Sequence, residues 1–129
     1  MSRVLVADDS ASIRLLLKRR LERAGHEVFE ARDGEEALAA ALGDNSVSPD
    51  LILLDVMMPE LDGIETLRHI KAQKSMIPVL LVSAVNDSSA TKEWELADGY
   101  LAKPIDFDEL LSRVELLTGG QPQPGSPHP

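Results

Sequence analysis

The sequence predicts an α/β domain built on a doubly wound parallel sheet, with strand order 2-1-3-4-5. Three observations lead there. Short apolar runs alternate five times with stretches of helical period. The run Leu51-Ile52-Leu53-Leu54 is apolar at every position, as a strand covered on both faces should be. Helical crossovers between parallel strands are right-handed, which leaves few arrangements of five strands.

Residues 4–7 read as the first strand. Ser10 or Ser12 can cap the next helix, whose apolar side carries Ile13, Leu16, Leu17, Leu21 and Ala24, with Gly25 as its stop. Residues 27–31 form the second strand. Asp33 precedes Glu36 at capping-box spacing, and Ala37, Leu38, Ala41 and Leu42 supply the apolar side of the second helix. A loop over 43–49 leads to the third strand, 51–54. Pro59 and Gly63 bracket another loop, and Ile64, Leu67 and Ile70 mark a third helix. Pro78 opens strand four, 79–82. The polar stretch 86–97 is read as a helix, although Asn86, Asp87, Ser88, Ser89 and Thr91 are poor helix formers. Residues 100–102 are a short fifth strand. Asp106 and Glu109 repeat the capping-box spacing ahead of Leu110, Leu111, Val114 and Leu117. From Gly119 the chain has no apolar periodicity, so residues 1–118 are expected to fold and 119–129 to be disordered.

Composition narrows the possible roles. Among 129 residues, 13 are Lys or Arg and 22 are Asp or Glu, a formal charge of -9. That balance weighs against nucleic acid as a partner, because phosphate backbones reward a basic face. Cysteine is absent, which excludes disulfides and thiolate metal sites. No apolar run has the length needed to cross a bilayer, so no membrane association is expected. The apolar run 4–7 is too short for a signal peptide and is closed by Asp8-Asp9, so the expected location is cytoplasmic.

In sheets of this type, sites form at the carboxyl ends of the strands. There the polar residues converge: Asp8-Asp9 after strand one, Asp55 after strand three, Ser83 after strand four and Lys103-Pro104 after strand five. Strands one and three are neighbours in the predicted order, so three carboxylates share one pocket and repel one another. A hard divalent cation, Mg²⁺ or Mn²⁺, relieves that repulsion with oxygen ligands and retained waters. Any one of these acids taken alone reads as a cap or turn residue. Acids at two strand ends, with a hydroxyl and a lysine at the next two, point to a built site.

The stretches Val4-Leu5-Val6-Ala7-Asp8-Asp9, Asp55-Val56-Met57-Met58-Pro59-Glu60-Leu61-Asp62-Gly63, Ser83-Ala84 and Asp98-Gly99-Tyr100-Leu101-Ala102-Lys103-Pro104 resemble the receiver domains of bacterial two-component response regulators, including the single-domain, chemotaxis-regulator-like ones. The resemblance spans roughly residues 3–117 and carries the same flavodoxin-like (βα)5 sheet. It implies that Asp55 accepts a phosphoryl group, that Asp9, Asp55 and the backbone carbonyl of Met57 bind Mg²⁺ with Asp8 close by, and that Ser83 and Lys103 hold phosphoryl oxygens. It further implies a cis Lys103-Pro104 bond and a Tyr100 side chain that moves inward on phosphorylation. Met57 and Val85 fall where the family's attacking water is flanked, and both are apolar here.

The function so implied is a signalling switch, not an enzyme beyond its own phosphorylation and slow dephosphorylation. The donor would be a histidine kinase or histidine phosphotransfer protein, and the output a protein target. The alternative is the regulatory half of a longer regulator with a DNA-binding or enzymatic output domain. The segment between Ser83 and Lys103 is about two residues shorter than the family pattern, with Leu96-Ala97 in place of Gly-Ala, which bears on the fourth helix. Arg14, Lys18, Arg19 and Arg23 make the first helix basic, and such a charge run is usually a solvated face. The resemblance offers a second reading, because in the family this helix docks the histidine-bearing bundle, a contact that Leu15, pointing away from the core, could join. Arg20 falls near its buried stripe and is expected to snorkel. Two other classes fit the fold less well. An aspartate-nucleophile phosphatase of the dehalogenase type needs a second Asp where Met57 stands. A flavin binder needs a phosphate loop where Asp8-Asp9 would repel phosphate.

Overall fold

The computed structural model describes residues 2–56, 63–74, 76–84 and 96–118. In chain order the elements are β1 (Arg3–Ala7), α1 (Ala11–Arg23), β2 (Glu27–Ala31), α2 (Gly34–Leu42), β3 (Leu51–Asp55), α3 (Gly63–Gln73), β4 (Val79–Ala84), β5 (Gly99–Lys103) and α4 (Phe107–Leu117). All strand pairs are parallel, in the order β2-β1-β3-β4-β5. Most of the helix expected over 86–97, together with Met57, Val85 and the tail from residue 119, lies outside the described residues.

Strand alternation explains why the chain needs two cores. Successive side chains point to opposite faces, so each apolar run feeds both. Leu5, Ala7, Ile52, Leu54, Val79 and Leu81 face Ala37 and Ala41 of α2 and Leu67 and Ile70 of α3. Val4, Val6, Leu51, Leu53, Leu80 and Leu101 face Leu17 and Leu21 of α1 and Leu110 and Val114 of α4. At about 25 cal/mol per Å² of apolar surface, these two layers are the main force holding the sheet between its helices.

The helix ends follow the local chemistry. Ser10, not Ser12, caps α1, its hydroxyl accepting from the Ile13 amide at 3.3 Å. Gly25 then turns the chain with φ +98°, a value that disfavours any residue with a Cβ. Asp33 caps α2 by accepting from the Glu36 amide at 2.8 Å, while the Glu36 carboxylate accepts from the Arg32 amide, one residue earlier than a capping box requires. Asp106 accepts from the amides of Asp108 and Glu109 and starts α4.

Asp98 works at the opposite end of the sheet from the acids. Its Oδ2 accepts from the Val79 amide at 2.8 Å and from Lys71 Nζ at 2.7 Å, while Lys71 also donates to the Ile77 carbonyl. This ties the end of α3 to the starts of β4 and β5. Arg20 places its guanidinium 4.7 Å from the centroid of the Phe107 ring, a cation–π contact between α1 and α4. Leu16 departs from the sequence expectation. It is 43% exposed, whereas its neighbour Leu17 and Leu21, one turn on, are buried in the core that α1 shares with α4.

Candidate functional site

The β1–β3 register pairs Ala7 with Leu54, so the residues that follow them, Asp8 and Asp55, emerge side by side. Asp55 also pairs with Val82, one residue before Ser83, and Ala84 pairs with Lys103. The sheet alone therefore gathers residues that are far apart in the chain. Oxygens of Asp8, Asp9 and Asp55 lie within 4.8 Å of one another. Asp8, Asp55 and Ser83 are buried and Asp9 is exposed, so the cluster opens to solvent on the Asp9 side.

Lys103 Nζ donates to Asp55 Oδ1 at 3.2 Å, and the Lys103–Pro104 peptide is cis. A buried carboxylate needs such a partner, because an unpaired charge in the interior is costly. Among the described residues, one ammonium meets three carboxylates, a negative balance. The donor set is entirely oxygen, the chemistry that suits a hard cation with open coordination positions.

The loop carrying Asp8 and Asp9 is held from several sides. The Asp8 amide donates to the Ala31 carbonyl at 3.1 Å, and Asp8 Oδ1 accepts from the Ser10 amide at 2.8 Å. The Asp8 carbonyl accepts from Arg14 at 2.7 Å, and Arg14 Nε donates to Glu30 Oε1 at 3.2 Å. On the other side, the Gly63 amide donates to the Val56 carbonyl at 2.9 Å, seating the start of α3 against the end of β3.

Each of Asp8, Asp9, Asp55, Ser83 and Lys103 thus lies at the carboxyl edge of the sheet, while Met57 lies outside the described residues. Tyr100 sits on β5 and is 61% exposed. Sequence reasoning placed Arg14 in the basic run of the first helix and gave it no role at the pocket. One signal could have singled it out: a cation in the first turn of a helix opposes the macrodipole, so another interaction must hold it there. Beside the pocket, Ile13, Leu16, Leu17, Lys103, Pro104, Ile105 and Phe107 line an open, mostly apolar hollow of about 250 Å³. Among the described residues, no helix is long and apolar enough to cross a membrane.

Comparison with known proteins agrees with this geometry. The family model described as the response regulator receiver domain matches residues 4–115. The alkaline phosphatase synthesis transcriptional regulatory protein PhoP of Bacillus subtilis is 44% identical over 118 residues, covering 89% of this chain and 48% of PhoP. The chain therefore spans about half the length of the curated relatives it matches. The response regulator TrrA of Thermotoga maritima, solved in complex with Mg²⁺ and BeF, superposes with a TM-score of 0.82 at 37% identity, covering 91% of this chain and 99% of that one. TrrA in complex with the histidine kinase ThkA gives 0.80 at 37% identity, covering 91% and 98%. With the sheet order, the acid cluster and the lysine-paired aspartate all in place, the match across nearly the whole described fold has one reading: the chain belongs to the response regulator receiver domain family.

Proposed function

We propose that the chain is a phosphorylation-operated switch in which Asp55 accepts a phosphoryl group from a phosphohistidine donor, with Mg²⁺ held by Asp8, Asp9 and Asp55. The observation that carries this reading is the meeting of three carboxylates within 4.8 Å, one of them 3.2 Å from the Lys103 ammonium. The complex of TrrA with Mg²⁺ and BeF supports the same chemistry for a similar site. By the family resemblance, the Met57 carbonyl adds a further metal ligand. When bound, the cation supplies charge neutralisation for the carboxylates and the incoming phosphoryl oxygens.

In the transfer, an Asp55 carboxylate oxygen attacks phosphorus in line. The phosphorus–nitrogen bond of the donor breaks, and its electron pair leaves with the imidazole. Repulsion between carboxylate and phosphoryl oxygens is the obstacle, and positioning plus charge neutralisation is the remedy. Lys103 supplies a cation from the β5 side. Ser83, buried next to the end of β3, donates to a phosphoryl oxygen of the product and moves toward it. Tyr100, exposed on the neighbouring strand, then turns inward and changes the output face.

The hollow beside the pocket is assigned to the donor. Its apolar lining and the basic α1 fit a helix bundle that presents its histidine to Asp55, and the complex of TrrA with a histidine kinase supports that choice. The reading assigns the chain to the cytoplasm, with proteins and not nucleic acid as its direct partners. A second reading, the receiver half of a longer regulator, is favoured by the chain's spanning about half of PhoP. The length of the complete coding sequence tests it.

Incubation with a small-molecule phosphodonor and Mg²⁺ tests the switch directly. Intact mass should rise by one phosphate in the wild type and remain unchanged in Asp55→Asn. Equal labelling of both proteins would overturn the assignment.

A further inference from the structure

We infer that Arg14 is a positioning residue for the cation site, acting through the Asp8 main chain; this rests on the reading of Asp8, Asp9 and Asp55 as a Mg²⁺ site. Asp9 is the exposed member of the acid cluster, and among the described residues no hydrogen bond holds its carboxylate. Its placement therefore depends on the backbone that carries it. The peptide joining Asp8 to Asp9 is fixed at its carbonyl, which accepts from the Arg14 guanidinium at 2.7 Å. Rotation of that peptide would swing both the Asp9 amide and the Asp9 side chain.

Arg14 can serve as a clamp because it is itself fixed. Its side chain is only 11% exposed, and its Nε donates to Glu30 on β2 at 3.2 Å. Glu30 follows Phe29 and precedes Ala31, whose carbonyl accepts from the Asp8 amide. Glu30, Arg14 and Asp8 thus form a closed brace between β2, α1 and the β1–α1 loop. The planar fork of a guanidinium can reach the carboxylate and the carbonyl together, which a lysine ammonium on a flexible stem does poorly. Groups that orient metal ligands from behind are commonly as important to affinity as some of the ligands. The cost of placing a cation in the first turn of α1, against the helix dipole, is offset by these two bonds.

The test uses Arg14→Gln, Arg14→Lys and Glu30→Gln in the full chain. Mg²⁺ affinity is measured by calorimetry, and unfolding in EDTA is followed to confirm a folded state. Amide exchange at Asp9 and Ser10 in EDTA reports the loop without metal. Arg14→Gln is expected to weaken Mg²⁺ roughly tenfold and to speed exchange at those two amides while leaving β3 and β4 protected. Arg14→Lys, which keeps the charge and loses the fork, is expected to fall close to Arg14→Gln. Glu30→Gln should weaken Mg²⁺ about two- to threefold. Wild-type affinity in folded Arg14→Gln or Arg14→Lys overturns the inference and leaves the metal site standing. Were Arg14→Gln unfolded, wild-type affinity in Glu30→Gln would overturn it instead. A wild-type chain that binds no Mg²⁺ removes the site reading, and the inference with it.

Discussion

Gly63 lies so close to the backbone of Asp55 that a Cβ on it would stand 2.3 Å from the Asp55 carbonyl oxygen and 2.6 Å from Val56 Cα. The start of α3 is therefore pressed directly onto the strand end that carries the central carboxylate. The requirement is steric; it concerns the space beside β3 and not an unusual φ. Gly63→Ala should gain up to about 1 kcal/mol of helix propensity. The clash is with main chain, which cannot rotate away as a side chain could, so a net loss of roughly 1–3 kcal/mol is expected. Urea denaturation measures it, and an alanine variant as stable as wild type would show that α3 can shift freely.

On the proposed reading of the acid cluster as a cation site, stability should depend on Mg²⁺. Three carboxylates held within 4.8 Å repel one another, and a bound divalent ion reverses that interaction. Raising Mg²⁺ to a hundredfold excess over its dissociation constant should stabilise the wild type by about 2.7 kcal/mol. In Asp9→Asn the response should be largely lost, while stability in EDTA stays equal or rises because one repulsive charge is gone. Thermal unfolding with and without EDTA decides the matter.

Leu16 lines the hollow beside the pocket and is 43% exposed, so its substitution disturbs the core little. Leu16→Glu should slow phosphotransfer from a cognate histidine kinase by roughly tenfold or more, the loss of an apolar anchor at an interface. Labelling by a small phosphodonor should proceed as in the wild type. Equal slowing with both donors would place the defect in the Asp55 pocket instead of the docking surface.

His26 introduces a pH dependence at the amino-terminal edge of the sheet. Burial holds its pKa below the ordinary value, the positive amino terminus adds to the shift, and Glu115 opposes it. The geometry agrees, since Nδ1 accepts from the Ser2 amide at 3.3 Å and cannot do so once protonated. A lowered folded-state pKa means that the unfolded chain binds the proton first as pH falls. The stabilisation is therefore complete above the ordinary histidine pKa and is lost as pH drops through the lower folded value. Urea midpoints for the wild type should fall between about pH 7.5 and about pH 5.5 more steeply than for His26→Gln. Matching slopes would show that His26 does not contribute.

The strands and most helix starts were legible in the sequence because their causes are local. A short all-apolar run such as 51–54, following a loop, suits a strand covered on both faces, and Asp33 and Asp106 cap helices through bonds to residues two or three positions on. The gathering of Asp8, Asp9, Asp55, Ser83 and Lys103 at one sheet edge was legible for a related reason, since strand order and direction bring the strand ends together whatever the side chains do.

Tertiary structure decided the contacts whose partners lie far along the chain. Periodicity on α1 put Leu16 inward, but whether a helical residue is covered depends on what packs against it, and Leu16 lines an open hollow instead. Arg14 read as part of a basic face because charge runs usually meet water; only the packing of α1 beside β2 brings its guanidinium to Glu30 and the Asp8 carbonyl. Gly63 read as a loop boundary, and the closeness that excludes a side chain there appears only when α3 meets β3. Hydrogen-bonding and apolar patterns act over a few residues, so sequence alone determined the elements and the end of the sheet where the acids, Ser83 and Lys103 gather. Burial and orientation are properties of neighbours brought together by folding, and these settled which side chains brace the site.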